Sequence, residues 1–478
     1  MTSQNPMPKI SVFNALGYAA RQDLVGLMRC HEDDSDIFGW RVGGRRYVVV
    51  RNPDYVEHIL VGGYEGYPKS EQYELLKTVL GIGLFTDEGE SWARHRKMIQ
   101  PLMSRRHLTG LVDLMLPPIE EFAAAWEARP DGDELDVSAA MVELTLEVVG
   151  RALMGQGFGQ VANEIRPAVV EGVESGVYAA QLQVAVGARR RLVALAARIL
   201  HDVPMVVPRL RNIQWMMRTI DRVIYDVIRE HEENPHDEGD LVSLLLNARD
   251  DDGQPMPRKR IRDELATFML AGHETTANGL AWMWLLLAEH PDARARMLDE
   301  VDNVLGGRPP TAADAERLPW TSACFQEALR LYPPAWIMPR KAAVDDVIGG
   351  HRIRKGTTVW IPIYLLQRDA RWWPDPDSFD PARFLPERAK EHRRGAYLPF
   401  GAGRRMCIGA SFALMEATLI TAVISQRLTL VDVPGQVVVP KATITLRPSG
   451  AVPMRLQHRQ GCDGAGGAPA SSKKRSSA

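Results

Sequence analysis

The chain of 478 residues carries 58 Lys and Arg against 60 Asp and Glu, a formal net charge of −2, with 45% hydrophobic and 25% charged residues. These are globular values that allow an ample core and exclude bulk disorder. They also leave no global basic field to hold a polyanion, so nucleic acid is not an expected partner.

Residues 1–9 are polar and proline-bearing, with no basic segment followed by an apolar one. No secretory signal is expected there, and the expected location is cytoplasmic. A first strand is predicted over 47–50, after the Gly43-Gly44 turn. Helical periodicity then dominates residues 54–425. Its most informative stretch is a helix over about 260–290, closed by Pro291. At about 1.5 Å per residue it is roughly 45 Å long, enough to cross a domain and organise its core. No window reaches the ~18–20 apolar residues that span a bilayer. Within this helix, Ala271-Gly272-His273-Glu274-Thr275-Thr276 sets two small residues beside an acid and two hydroxyls. Ala271 and Thr275 share a face. A zinc-protease reading of His273-Glu274 fails, because Ala277 stands where HExxH needs His. The bland role for Thr275 is a hydroxyl bonded back to the carbonyl four residues earlier.

A second helix is predicted over 321–331, stopped by Pro333-Pro334, with Glu327 and Arg330 on one face. Alone, that pair reads as a solvated salt bridge. Residues 347–353 and 357–362 read as paired strands, and 367–386 as an irregular proline-rich stretch. The four cysteines, Cys30, Cys324, Cys407 and Cys462, are too dispersed for a disulfide framework or a CxxC site. Cys407 sits among Gly401, Gly403, Arg404, Arg405 and Gly409, at the mouth of a helical pattern over 410–424. That setting lowers a thiol pKa, so a thiolate is expected. A phosphate loop is set aside, for there is no GxxxxGK[ST] and no third spaced glycine. Residues 461–478 are Gly/Ala/Ser-rich and read as a tail holding Cys462 as a free thiol.

Phe400, Gly403, Arg405, Cys407 and Gly409 resemble the haem-binding loop FxxGxRxCxG of the cytochrome P450 family. Glu327 and Arg330 fit that family's ExxR, and Pro381-Ala382-Arg383-Phe384 resembles its PxRF segment, which makes Arg383 the third member of a buried triad. Residues 271–275 resemble its AGx[DE]T motif, and Trp92 with Arg96 its WxxxR helix. The resemblance implies a mainly α fold with a small β-rich subdomain and a long central helix crossing the haem. It places one haem domain over 9–456, between a flexible N-terminus at 1–8 and a disordered tail at 457–478. The implied cofactor is haem b, iron protoporphyrin IX, with Cys407 as the iron ligand. Trp92, Arg96, Arg340 and Arg405 would take the propionates, and Phe400, Gly401, Gly409 and Ala413 the proximal face. Ala271 and Gly272 would leave room for the macrocycle and dioxygen.

The implied reaction inserts one atom of O2 into a lipophilic small molecule, a terpenoid, fatty acid, steroid or polyketide, while the other leaves as water. Glu274 would pass protons inward and Thr275 would hand them to the oxygen. Electrons would come from a separate ferredoxin or flavodoxin with its reductase, docked on a basic patch of Arg94, Lys97, Arg105, Arg106 and Arg404. Family position makes Leu84, Phe85, Phe268, Ala335, Trp336, Ile337 and Ile444 the expected substrate contacts. The rival readings are a peroxide-dependent peroxygenase and a non-enzymatic haem sensor; the Glu274-Thr275 pair favours the cycle that uses O2 and electrons.

Overall fold

The computed structural model describes residues 7–10, 24–29, 35–42, 44–155, 158–159, 161–172, 208–234 and 239–459. Cys30, Cys462 and the 461–478 tail lie outside the described residues. The helices that position the site are α1 (Gly89–Ile99), α2 (Arg105–Glu127), α3 (Val137–Met154), α4 (Arg258–Glu289), α5 (Pro319–Leu331) and α6 (Ala410–Arg427). Helix α4 is the long helix expected over 260–290. Its 32 residues span about 48 Å. From Thr276 to Ala288 every residue is buried, the mark of a helix that is apolar on all sides and surrounded by others.

Around that half, α2, α3, α5 and α6 contribute Met115, Val148, Phe325 and Ile420 to one core cluster with Leu280 and Met283. Gly279 lets α5 approach closely: a Cβ there would lie 2.7 Å from the Phe325 ring. The first half of α4 packs Ile261, Leu265 and Met269 into a second cluster with Leu146 and Val149 of α3. The helical part thus has two cores on either side of residues 271–275.

The β part is small, as expected. A four-stranded sheet runs in the order β1 (Ile37–Val42), β2 (Arg45–Val50), β4 (Thr358–Ile361), β3 (Met338–Lys341). Strands β2 and β4 are parallel with Val48 opposite Val359, and β3 joins β4 antiparallel with Arg340 opposite Val359. A two-stranded hairpin of β5 (Pro440–Ala442) and β6 (Leu446–Pro448) lies near the chain's end.

One pairing differs from expectation. Residues 346–348 pair with 351–353 across Gly349-Gly350, rather than 347–353 pairing with 357–362. Both glycines have positive φ, +55° and +81°, and close a two-residue turn that L side chains resist. The 358–361 strand is left free to pair with β2. The ends also differ. Gly39 N–H donates to the Pro8 carbonyl at 2.9 Å, so residue 8 is already tied to the sheet. The last strand runs Pro453–His458, past 456, and Arg459 pairs with Asp302 at 2.5 Å.

Candidate functional site

Cys407 stands three residues before the first residue of α6, in the tight loop that feeds it. Its N–H donates to the Phe400 carbonyl at 2.8 Å, and Met406 N–H to the Gly403 carbonyl at 3.1 Å. Gly403 has φ +68°, and a Cβ there would lie 2.3 Å from the Leu60 carbonyl oxygen, so only glycine fits that position. Phe400 packs against the main core, Ala413 N–H bonds to the Gly409 carbonyl at 2.9 Å, and Gly401 adopts φ +71°. Cys407 remains exposed as a free thiol, whereas Cys324 is buried in the core. The lowered thiol pKa expected from the loop does not hold. The protein around the sulfur desolvates it and pushes the thiol up, against the Gly409 N–H and the Arg96 charge that pull it down. A coordinated cation would reverse that balance, because it deprotonates a thiol outright.

Beside the loop lies a cluster of cations. Arg405 stacks over buried Trp92 at 4.4 Å and pairs with Glu88. Its Nε and Nη1 are buried and have no hydrogen-bond partner among the described residues. Arg340, 5% exposed on β3, has among the described residues only a backbone carbonyl at 3.0 Å and the Met338 sulfur at 3.1 Å as acceptors. Lys69 completes the group. Burial, with Arg405 and Arg340 nearby, pushes its ammonium down to about 7. Arg96 is half-buried on α1, and burial lowers its guanidinium while the Cys407 sulfur opposes the shift.

The three residues of the expected triad meet in the interior. Arg330 holds Glu327 with two parallel bonds, Nε to Oε2 at 2.7 Å and Nη2 to Oε1 at 2.8 Å. It also donates to the carbonyls of Gln367, Pro376 and Ser378 at 2.9, 2.6 and 3.0 Å. Arg383 is less tightly engaged. Its Nε lies 3.4 Å from Glu327 Oε1, an ion pair without hydrogen-bond geometry, and its Nη2 donates to the Asp375 carbonyl at 3.1 Å. The solvated-pair reading is excluded, since Glu327 and Arg330 are 0% exposed.

On α4, the Thr275 hydroxyl donates to the Ala271 carbonyl at 2.7 Å. This is the back-bonded arrangement, which frees the helix locally to bend. Gly272 lies in ordinary contact with Val149, at 3.4 Å from a constructed Cβ. Buried His273 bonds through Nδ1 to the Met269 carbonyl at 2.8 Å, and burial lowers its pKa. Glu274 is half-buried, and its Oε1 accepts the Thr445 hydroxyl at 2.6 Å.

Residues 4–452 match the family model described as Cytochrome P450. The chain belongs to the cytochrome P450 family. It is 45% identical over 445 residues to cytochrome P450 132 of Mycobacterium tuberculosis, covering 91% of this chain and 92% of that one. It is also 38% identical over 426 residues to cyclooctatin synthase of Streptomyces melanosporofaciens, covering 88% of each. The haem domain of cytochrome P450DA, a solved crystal structure, superposes with a TM-score of 0.83 at 26% identity, over 96% of this chain and 98% of that one. Membership implies haem and oxygen chemistry on lipophilic compounds. Among the described residues no helix is long and apolar enough to cross a membrane.

The residues present fit a P450 haem. Its two propionates are carboxylates, and the unpartnered Arg405 nitrogens beside Arg340 and Lys69 form the donor set such anions need. The seven expected substrate residues divide by position. Phe85, Ala335 and Ile444 are exposed and Phe268 and Ile337 half-buried, whereas Leu84 and Trp336 pack into core clusters. The docking patch is partly neutralised: Lys97 lies 2.6 Å from Asp251 and Arg105 pairs with Glu316, while Arg404 donates to the Tyr64 hydroxyl at 2.6 Å.

The loop over 81–87 is pinned to α4 by buried carboxylates. Ile82 N–H donates to Asp263 and Leu84 N–H to Glu264, both at 2.9 Å, while Arg260 bridges Glu264 at 2.8 Å and Asp87 at 2.7 Å. Burial pushes the Glu264 carboxyl up to about 7, Arg260 notwithstanding. The folded protein therefore binds this proton more tightly than the unfolded chain, and stability falls as pH rises from about 4.5 to about 7. Glu264→Gln is expected to flatten that part of the curve of melting temperature against pH. An unaltered slope would exclude Glu264 as its source.

Three polar residues of the site were not among those picked out by motif. Lys69 stands between Pro68 and Ser70 with no local signal, and Thr445 is an ordinary threonine in the turn between β5 and β6. Glu416 did carry a signal, as a lone acid in the apolar run of α6. It is 0% exposed, neither oxygen has a regular hydrogen bond among the described residues, and burial pushes its carboxyl well above the usual range, with the Thr276 hydroxyl offsetting part of the shift.

Proposed function

We propose that the protein is a haem-thiolate monooxygenase with Cys407 as the iron ligand. The observation that carries this reading is the free sulfur of Cys407, fixed at the mouth of α6 by the Phe400 carbonyl and flanked by a cation cluster with buried unpartnered donors. Bound there, haem b supplies the activation of O2, from which one atom enters the substrate and the other leaves as water. Lys69, Arg340 and Arg405 hold the propionates, and Trp92 supports the Arg405 guanidinium from below. The Glu327–Arg330–Arg383 group holds the irregular 367–386 segment in place. Ala271 and Gly272 keep the middle of α4 free of bulk.

Glu274 gathers protons from the solvent side, and Thr275 passes them toward the oxygen after its hydroxyl leaves the Ala271 carbonyl. Phe85, Ala335 and Ile444 offer apolar surface to a lipophilic substrate of the terpenoid, fatty acid, steroid or polyketide kind. The relative named for making cyclooctatin puts such compounds first in a spectral binding screen. The electrons come from a separate ferredoxin or flavodoxin, for which Arg94, Arg106 and Arg404 provide exposed charge.

Thr275→Ala tests the oxygen-side assignment. With the compound giving the largest spectral shift, NADPH consumption is expected to continue while product per NADPH falls about tenfold and hydrogen peroxide rises to match. Unchanged coupling would reject a proton-delivery role for Thr275.

A further inference from the structure

Thr445 closes a hydrogen-bonded path from the expected substrate walls to the acid of α4. The turn between β5 and β6 is tightly wound: Thr443 donates its N–H at 2.9 Å and its hydroxyl at 2.8 Å to the Thr445 carbonyl. The same turn is tied to the 334–336 segment. Trp336 Nε1 donates to the Thr443 carbonyl at 3.0 Å, and Leu446 N–H to the Pro334 carbonyl at 2.9 Å. From the turn, Thr445 Oγ1 donates to Glu274 Oε1 at 2.6 Å and accepts Asn278 Nδ2 at 3.4 Å.

A hydroxyl has one proton to give. Here it goes to the carboxyl, while the amide of Asn278, one helical turn beyond Glu274, fills an acceptor lone pair. The chain of bonds is therefore polarised from amide to hydroxyl to carboxylate, and each bond strengthens the next. Thr445 is 7% exposed, so no bulk water competes for Glu274 from its position; its neighbour Ile444 is 41% exposed and presents an apolar side chain. One short turn thus carries both an exposed apolar side chain at an expected substrate contact and the hydroxyl bonded to the acid.

We propose that Thr445 is a positioning residue for Glu274: it sets where the carboxyl lies and makes proton delivery follow the position of the turn that bears Ile444. The proposal rests on the reading of Glu274 as the proton-supplying acid. When protons are delivered on time, O2 can be taken fully to water with four electrons and four protons. When delivery fails, oxygen leaves after two electrons and two protons as hydrogen peroxide. NADPH supplies the electrons through the redox partner, and solvent supplies the protons through Glu274.

The test uses the haem-loaded full chain without added substrate, with NADPH, a plant-type ferredoxin and its reductase, and O2 as the probe. Thr445→Val is expected to raise hydrogen peroxide per NADPH at least about twofold, to the level of Glu274→Gln. Thr445→Ser is expected to match the wild type, and adding Thr445→Val to Glu274→Gln to change nothing further. A readout free of turnover is the melting temperature, where the losses of the two single variants should exceed that of the double variant by about 1–2 °C, summed. Each variant is first checked for the reduced-CO band of a haem thiolate, and Thr445→Ala replaces valine where valine is not accommodated. A wild-type peroxide yield in Thr445→Val, additive melting losses, or a serine variant that behaves like valine overturns the assignment. A wild-type protein that lacks the reduced-CO band overturns the monooxygenase reading itself, and this proposal with it.

Discussion

Cys407→Ser is expected to lose the reduced-CO band of a haem thiolate and to lower oxygenation by at least about two orders of magnitude. The substitution isolates one atom. The loop's bonds from Cys407 N–H to Phe400 and from Met406 N–H to Gly403 are made by the backbone and survive it. The side chain is exposed, so no packed volume is lost. The melting temperature of the haem-free chain should therefore move by no more than about 2 °C. What changes is the donor. A serine hydroxyl does not ionise in this setting, whereas the thiol, though pushed up where the surrounding protein desolvates it, has the Gly409 N–H and the Arg96 charge in place to stabilise its anion. The reduced-CO difference spectrum decides the matter, and a serine variant that kept the thiolate band would reject Cys407 as the ligand.

The parts of this site that could be read in the sequence are those whose chemistry lies within a few residues. Glu327 and Arg330 are one helical turn apart, and the Cys407 loop is ten residues long, so motif and geometry coincide. Helix α4 was legible to within two residues at its start because its helical periodicity and the proline that closes it are local signals. What escaped was set by distant partners. The alternation over 357–362 marks a strand but not its neighbour, which is β2, more than three hundred residues earlier. Thr445 meets Glu274 across 171 positions, and Lys69 acquires its lowered pKa from burial in the assembled protein, reinforced by Arg405 and Arg340, which the fold brings beside it. The Cys407 thiol fails the local expectation for the same reason: nearby glycines and arginines argue for a low pKa, but desolvation by the assembled protein outweighs them. Trp336 illustrates the converse case. Family position offers it as a substrate contact, while its indole is spent on the Thr443 carbonyl and its ring on the cluster with Phe38 and Trp360.

Arg330→Ala is expected to yield little or no haem-loaded protein, with a loss of stability of about 3–5 kcal/mol or more. The charge of Glu327 would remain buried with only the loosely engaged Arg383, at 3.4 Å, and the Asp380 N–H, at 3.0 Å, to balance it, and the carbonyls of Gln367, Pro376 and Ser378 would each lose a donor. Lysine should not rescue it. An ammonium on a flexible stem cannot hold both carboxylate oxygens and reach three carbonyls at once, as the guanidinium fork does. Arg383→Ala should cost less, because Arg383 meets Glu327 at 3.4 Å without hydrogen-bond geometry and donates to a single carbonyl, that of Asp375. Haem content after purification and the midpoint of urea unfolding measure both variants. The ranking separates two accounts of the 367–386 segment. If charge balance around Glu327 held it, either alanine variant would leave one cation and one anion and the two losses would be alike. If hydrogen bonds from Arg330 to the carbonyls of the segment hold it, Arg330→Ala is the more damaging, and that is the outcome the geometry requires.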